Sequence, residues 1–484
     1  MATSIKKNFI YNTLNTVTQL LFPLLTFPYA SRIMLADGIG QVNFFTSIIS
    51  YITLFTSIGI PLYAIRESAR VRENPQALSR ISMEIILLHA SLTLLGYLAV
   101  FILCLFVPEI KADIPLFLLL SLSVLLNAIG CNWLFQGVED FKYITIRGLI
   151  VKFVAVILLF LFVKTREDLL WYALYTVIGS VGGNVFNLFR MRRYVRLSLF
   201  CWSELHPLRH LKPSLKIFVL NLIISIYINL DSIMLGFISG ATSVGYYTGA
   251  TKITSILVSV VSSLGAVMLP RLSNLVQKGD NEGFNRLSQK SVDFTMTFAT
   301  PMFVGLMILA PSLIRLFCGP SYAPSILTLE IISPIILIIG LSGVMGIQVL
   351  YPQGRENLVI LSTAIGAGVN FMLNCFLIPL YAQNGAAIAT LFAESSVTLT
   401  MIWIGAKYLP FKLFTRHNLY IVLATCVMAV PCVIFRATLQ NDFLILLLSV
   451  LTGAIIYGIL MYCMRNVFVM QVLDILVTRL QKGK

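Results

Sequence analysis

Three ionisable residues interrupt long apolar stretches of the chain: Asp231 in Asn229-Leu-Asp-Ser-Ile-Met234, Lys252, and Glu394. A charge in such surroundings is costly, and it is usually kept because it pairs, binds a ligand or moves an ion. If the stretches are helices crossing a bilayer, all three lie roughly 10–14 Å below the same boundary at 1.5 Å per residue. The matching depths allow a structural ion pair that pins helices together. They equally allow Lys252 to face a cavity and bind an anionic group, with Asp231 and Glu394 setting its charge or coupling it to protons or sodium. Both readings stand at this level.

Other cations sit near the ends of apolar stretches. Arg32 closes the first, Lys152 lies about one turn inside the fifth, and Arg66 and Arg271 mark the ends of the second and eighth. Snorkelling to headgroups accounts for Arg32 and Lys152; binding a phosphate would use the same charges. Arg66 and Arg271 are either interfacial anchors or the groups that meet an incoming anionic headgroup. Asn8, Asn12, Asn15 and Gln19 are spaced four, three and four apart, which puts them on one helical face. Such a face suits the wall of a wet cavity or a polar helix contact. His89, alone in its span, reads as a packed or cavity residue. His206 and His210 lack a third ligand for a metal site, and the eight cysteines show no ligand or disulfide spacing. No metal or organic cofactor is expected.

The elements that must position these residues follow from composition. Of 484 residues, 58% are hydrophobic and 11% charged, with mean hydropathy +0.89. A soluble chain carries about 25% charged residues. Apolar blocks fall near 10–33, 42–64, 81–107, 114–138, 148–163, 168–189, 216–238, 244–268, 292–318, 324–351, 357–380, 385–408, 418–436 and 443–464. Each is long enough to cross a hydrocarbon core of about 30 Å as helix. The prediction is an all-α integral membrane protein of about 14 transmembrane helices. The segment after Lys6 and Lys7 is too long for a signal sequence and reads as the first span.

With 14 spans both termini share a side. Six basic residues (Arg32, Lys111, Lys164, Arg166, Arg315, Arg436) fall on the opposite side, while 28 of the 35 fall with the termini. The bias predicts cytoplasmic termini and makes the net charge of +15 a topology signal rather than a nucleic-acid site. The outer connections, such as 239–243 and 381–384, are expected to be very short loops, which leaves no room for a soluble catalytic domain.

The chain also resembles itself. At an offset of 205, Gly40-Gln-Val-Asn-Phe-Phe45 overlays Gly245-Tyr-Tyr-Thr-Gly-Ala250, and Arg66 pairs with Arg271. At an offset of 217, Phe135-Gln-Gly-Val-Glu139 overlays Pro352-Gln-Gly-Arg-Glu356. The repeat predicts a six-helix lobe over 1–200, a second over 201–412, and two appended helices with a cytoplasmic tail over 413–484. Parallel repeats of this kind are an arrangement transporters use.

Residues 27–44, Phe-Pro-Tyr-Ala-Ser-Arg-Ile-Met-Leu-Ala-Asp-Gly-Ile-Gly-Gln-Val-Asn-Phe, resemble the opening of the polysaccharide-biosynthesis flippases, the Wzx-type O-antigen translocases. Asp231-Ser-Ile-Met-Leu-Gly236 and Val244-Gly-Tyr-Tyr247 resemble their second-half counterpart. The resemblance covers nearly the whole chain and points to the superfamily that also holds multidrug extruders and lipid II flippases. It implies two six-helix bundles around a V-shaped cavity, with two helices appended, in the bacterial inner membrane. It implies a non-enzymatic role, moving an undecaprenyl-diphosphate-linked oligosaccharide between leaflets, with membrane lipid and the polymerase and chain-length proteins of the same pathway as partners. Cavity cations recur in the family, and Arg32, Lys152 and Lys252 are the positions that match. The alternatives are a multidrug or small-solute cation antiporter of the same fold, or a membrane glycosyltransferase or polymerase.

Overall fold

The computed structural model describes residues 5–413, 415–464, 466 and 470; the side chains of 5–17, 19, 20, 216, 219–221, 223–228, 264 and 266 are not among those described. Described residues form helices α1 (Ile5–Ser57), α2 (Ile60–Val71), α3 (Pro75–Phe106), α4 (Pro108–Lys111), α5 (Ile114–Gly130), α6 (Asn132–Gly137), α7 (Phe141–Phe162), α8 (Leu169–Val177) and α9 (Asn184–Met191). After a connector of short turns come α10 (Leu211–Ser239), α11 (Ala241–Lys278), α12 (Asn281–Phe317), α13 (Ser325–Ile332), α14 (Ile335–Gly343), α15 (Glu356–Gly405), α16 (Arg416–Thr438) and α17 (Asp442–Cys463). A π-helical turn, Ile178–Gly182, links α8 to α9, and another, Val344–Leu350, extends α14.

Among the described residues, eleven helical segments are long and apolar enough to cross a membrane. Two of them are bent pairs: α1 kinks at Leu35 (φ 53°) and α15 at Ala382 (φ 47°). Counting each as two spans and adding α10 gives the fourteen expected. The short outer loops expected at 239–243 and 381–384 are tighter than loops. One positive-φ residue, Gly240 (φ 83°) or Ala382, reverses the chain between helices. A non-glycine residue at positive φ costs about 1–2 kcal/mol, so packing must hold Leu35 and Ala382 there. Prolines divide similarly: Pro23, Pro28, Pro301 and Pro379 lie inside helices, whereas Pro61 sits in the first turn of α2 and Pro334 caps α14.

The chain divides into two compact units, Met1–Gly245 and Tyr246–Lys484. In the first, α1 packs against α3, α5, α7 and α10. In the second, α12 packs against α13, α14 and α16, and α15 against α13 and α14. Large apolar side chains face outward; Phe106 is 74% and Trp403 82% exposed, as suits a lipid-facing surface. Small residues fill the helix contacts, as along Ala386, Ala387, Ala389 and Ala393 of α15, because they let backbones approach without help from a hydrophobic driving force.

The repeat has a structural counterpart within the first unit. Leu35 and Gly240, 205 residues apart, are both turning points. Five residues beyond each, Gly40 lies against the Ala241 carbonyl and Gly245 against the Ala36 carbonyl. The pairs 36/241 and 40/245 thus exchange places, as a local two-fold relation requires. The Thr242 hydroxyl donates to Asp37 at 3.3 Å beside this crossing, and those residues are again 205 apart.

The basic connector between the repeats is fastened to α3. Glu84 is fully buried and accepts hydrogen bonds from the His206 backbone N–H (3.0 Å), His210 Nε2 (2.9 Å) and the Arg80 guanidinium (3.4 Å), and pairs with Arg209. The Tyr63 hydroxyl donates to His210 Nδ1 at 2.7 Å. That pattern fits a neutral imidazole protonated on Nε2, and burial holds His210 below the usual histidine range despite the Glu84 carboxylate. Glu84→Ala would strand these donors without their acceptor. The expected loss is about 3 kcal/mol, the scale for removing one member of a buried charge pair, read as a lower unfolding temperature in detergent.

Candidate functional site

In the first unit, the Tyr29 hydroxyl donates to the Val163 carbonyl at 2.9 Å and the Tyr175 hydroxyl to Thr26 Oγ1 at 2.7 Å. These bonds fix the first half of α1 on α7 and α8. Lys152 is on α7, and its Nζ is buried with no hydrogen-bond partner among the described residues. No ion pair among the described residues involves it. Insertion of an unpaired lysine at a span centre costs about 3 kcal/mol, so an ammonium left this way is held ready for a ligand or is a standing cost.

Arg32 is exposed on α1, three residues before the kink, and donates Nη1–H to the Pro28 carbonyl at 2.6 Å. Asp231, 4% exposed, is on α10 of the same unit. Arg66 is exposed on α2 beside Glu67 (3.3 Å) and over the Tyr63 ring (5.7 Å). Asn12, Asn15 and Gln19 are in the first half of α1, but their side chains lie outside the described residues. His89 is 4% exposed, and neither ring nitrogen has a partner among the described residues.

In the second unit, Lys252 is half-buried on α11, and it too makes no ion pair among the described residues. Glu394, 8% exposed, is on the second half of α15. One turn before it, Thr390 Oγ1 meets the Tyr247 hydroxyl at 3.0 Å, joining α11 to α15. Lys252 and Glu394 therefore belong to the same unit. Arg271 is exposed near the end of α11.

Sequence reasoning missed two sets of buried polar side chains. Arg147 of α7 donates to Asn187 Oδ1 and, at 3.1 Å, to Asn132 Oδ1; Asn132 Nδ2 donates to Asn184 Oδ1 at 2.9 Å. Asn187 donates onward to the Gly130 carbonyl, and Asn184 to the Leu126 carbonyl (3.0 Å). These amides bind the break at Cys131 (φ 44°), where α5 gives way to α6. In the second unit, Asn374 Nδ2 donates to Asn370 Oδ1 at 3.1 Å, with both residues almost wholly buried. The spacings Asn184/Asn187 and Asn370/Asn374 inside apolar blocks were the available signal.

The described residues build a kinked, multi-span helical fold of the kind seen in membrane transporters. Comparison with solved structures agrees. The chain is similar to the lipid II flippase MurJ in an inward closed conformation (TM-score 0.71, 18% identity, 95% of this chain and 100% of that one). It is also similar to an inward-facing multidrug resistance MATE family transporter of the MOP superfamily (TM-score 0.63, 13% identity, 83% and 98%). Residues 5–276 match the family described as "Polysaccharide biosynthesis protein", and the chain belongs to that family. A relative described as "Putative O-antigen transporter", from Escherichia coli K12, is 28% identical over 423 residues, 87% of this chain and 98% of that one. The "Probable flippase AglR" of Haloferax volcanii is 26% identical over 319 residues, 62% of each.

Proposed function

We propose that this chain is a flippase for a lipid-linked oligosaccharide, carrying an undecaprenyl-diphosphate-linked O-antigen or similar repeat unit from the cytoplasmic to the periplasmic leaflet of the bacterial inner membrane by alternating access. The observation that carries this reading is the pair Lys152 and Lys252. Each unit offers an ammonium in a span with no carboxylate partner among the described residues. A diphosphate cannot cross hydrocarbon unaided, because stripping water from an ion without a partner is prohibitive. Cations without counter-ions among the described residues, and in the case of Lys152 already buried from water, supply that partner. A cation exporter needs the reverse, a buried acid awaiting a positive substrate.

In this reading Lys252 holds the diphosphate with Arg32 and Lys152, while Arg66 and Arg271 meet the headgroup at the membrane surface. Asn12, Asn15 and Gln19 face the sugars. Asp231 and Glu394 tune the lysines or couple transport to protons or sodium. No covalent bond is made or broken. The basic bias of one set of loops supports cytoplasmic termini, and the polymerase and chain-length proteins of the same pathway are the expected partners. Complementation tests this: expressed in a bacterium lacking its own O-antigen flippase, the chain should restore surface polysaccharide. Failure to restore it with a series of repeat units, from a chain shown to reach the membrane, would overturn the reading.

A further inference from the structure

The connector between the repeats carries charge and apolar surface that the transport scheme does not use. From Arg192 to Leu215 it holds a single acid, Glu204, against Arg192, Arg193, Arg196, Arg209 and Lys212. Glu204 pairs with Arg80 of α3 at 3.7 Å, and Arg209 with the buried Glu84. Arg192, Arg193, Arg196 and Lys212 are exposed and make no ion pair among the described residues. The loop bias that orients a membrane protein accounts for the sign of these charges. It does not account for the large apolar side chains that stand among them. Leu197 is 57%, Trp202 61% and Leu208 75% exposed.

The connector's bonds fix the depth of these side chains. The Arg196 backbone N–H donates to Ser79 Oγ at 3.1 Å, the His206 N–H to Glu84, and the Arg80 guanidinium to the Glu204 carbonyl at 2.6 Å. Ser79, Arg80 and Glu84 straddle residue 81, where the apolar block of α3 begins. Val195 and Phe200 turn inward and share one core with Leu78, Met83, Ile85 and Leu88. Short helical turns at Leu197–Leu199, Trp202–Glu204 and Pro207–His210 carry the three outward residues between these attachments. The connector is therefore pressed against α3 at the level where that helix passes from headgroups into hydrocarbon. An indole is favoured at this level, where its ring meets apolar chains and its N–H meets water. Segments that seat firmly on a bilayer combine such side chains with a basic set.

We propose that the connector is a docking surface for the anionic phospholipid headgroups of the leaflet it faces. Arg192, Arg193, Arg196 and Lys212 lie among the headgroups, and Leu197, Trp202 and Leu208 seat at the acyl boundary. Charge selects this partner over a zwitterionic surface, since each cation near an anionic leaflet raises the docked population about fivefold. Through Ser79 and Glu84 the seated connector holds the start of α3 at a fixed depth. The surface is separate from Lys152 and Lys252, and it stands whether or not the chain is a flippase.

Full-length protein in nanodiscs tests this without measuring transport. The exposed cysteines Cys201, Cys375, Cys426 and Cys463 are replaced by serine, and a nitroxide is attached at Leu208→Cys. In discs containing phosphatidylglycerol the label should be reached by oxygen and shielded from an aqueous nickel chelate. In discs of phosphatidylcholine alone the chelate should reach it several times more readily. The combined Arg192→Gln, Arg193→Gln, Arg196→Gln and Lys212→Gln variant should show that same open state even in phosphatidylglycerol. A label open to the chelate in phosphatidylglycerol discs would overturn the proposal, as would equal shielding in both lipids or shielding retained in the folded variant. Shielding from chelate and oxygen alike would also overturn it, because protein rather than lipid would then cover the connector. The lipid comparison leaves the four cations in place, so it decides the matter even if the combined variant fails to fold.

Discussion

Gly40→Ala and Gly245→Ala are each expected to prevent stable assembly, although alanine is the mildest substitution available and a better helix former than glycine. A Cβ at Gly40 would strike the Ala241 carbonyl, and one at Gly245 the Ala36 carbonyl. Both obstacles are helix backbone, which cannot swing aside as a side chain can. Overpacking a tight contact costs about 1–3 kcal/mol where side chains relax, so about 3 kcal/mol or more is expected here. Gly368→Ala is the internal control. Nothing lies within 4 Å of its Cβ position in α15, and relief of glycine's helix penalty should stabilise by about 0.5–1 kcal/mol. Size-exclusion profiles of membrane extracts will separate the cases. Gly245→Ala running as a sharp peak at the Gly368→Ala level would show that the crossing is looser than described.

The second large effect concerns the lysines, and its two parts have opposite signs. Lys152→Met should lower export to about a tenth or less of wild type, since a charged hydrogen bond to substrate is worth about 1.5–3 kcal/mol. The same change removes a buried ammonium that has no partner among the described residues, so the protein should become more stable by about 1–3 kcal/mol. A structural lysine would show the reverse pattern, with export retained or lost only along with stability. Lys252→Met should lower export similarly. Stability trading against activity in this way is characteristic of functional sites.

The apolar blocks gave away the spans because the bilayer demands about 20 apolar residues for each crossing, and all fourteen were placed by that demand. Hydropathy marks the bilayer, however, and not the helix. The block at 148–163 is part of α7, which begins at Phe141, and Arg147 fell just outside the block and was passed over. Glu84 carries no mark of its role in the sequence; its four donors come from His206, Arg209 and His210 of the connector and Arg80 of α3, contacts set by tertiary structure. Leu35 and Ala382 carry positive φ against their residue type, so no local signal marks them, whereas the glycines of the Gly40/Gly245 repeat were visible as an alignment. Lys152 and Lys252 were legible for the simplest reason: a lone charge in an apolar run stands out. That neither has a counter-ion among the described residues is a matter of neighbours, which sequence does not give.

The most direct test is transbilayer movement in proteoliposomes. An undecaprenyl-diphosphate-linked oligosaccharide is loaded in both leaflets, and the outer pool is removed continuously by an external glycan-cleaving enzyme. Wild-type protein should expose the inner pool far faster than protein-free vesicles do, and the Lys152→Met/Lys252→Met double variant should fall back to the protein-free rate. Wild-type vesicles no faster than empty ones would contradict the flippase reading, and a double variant as fast as wild type would contradict the site.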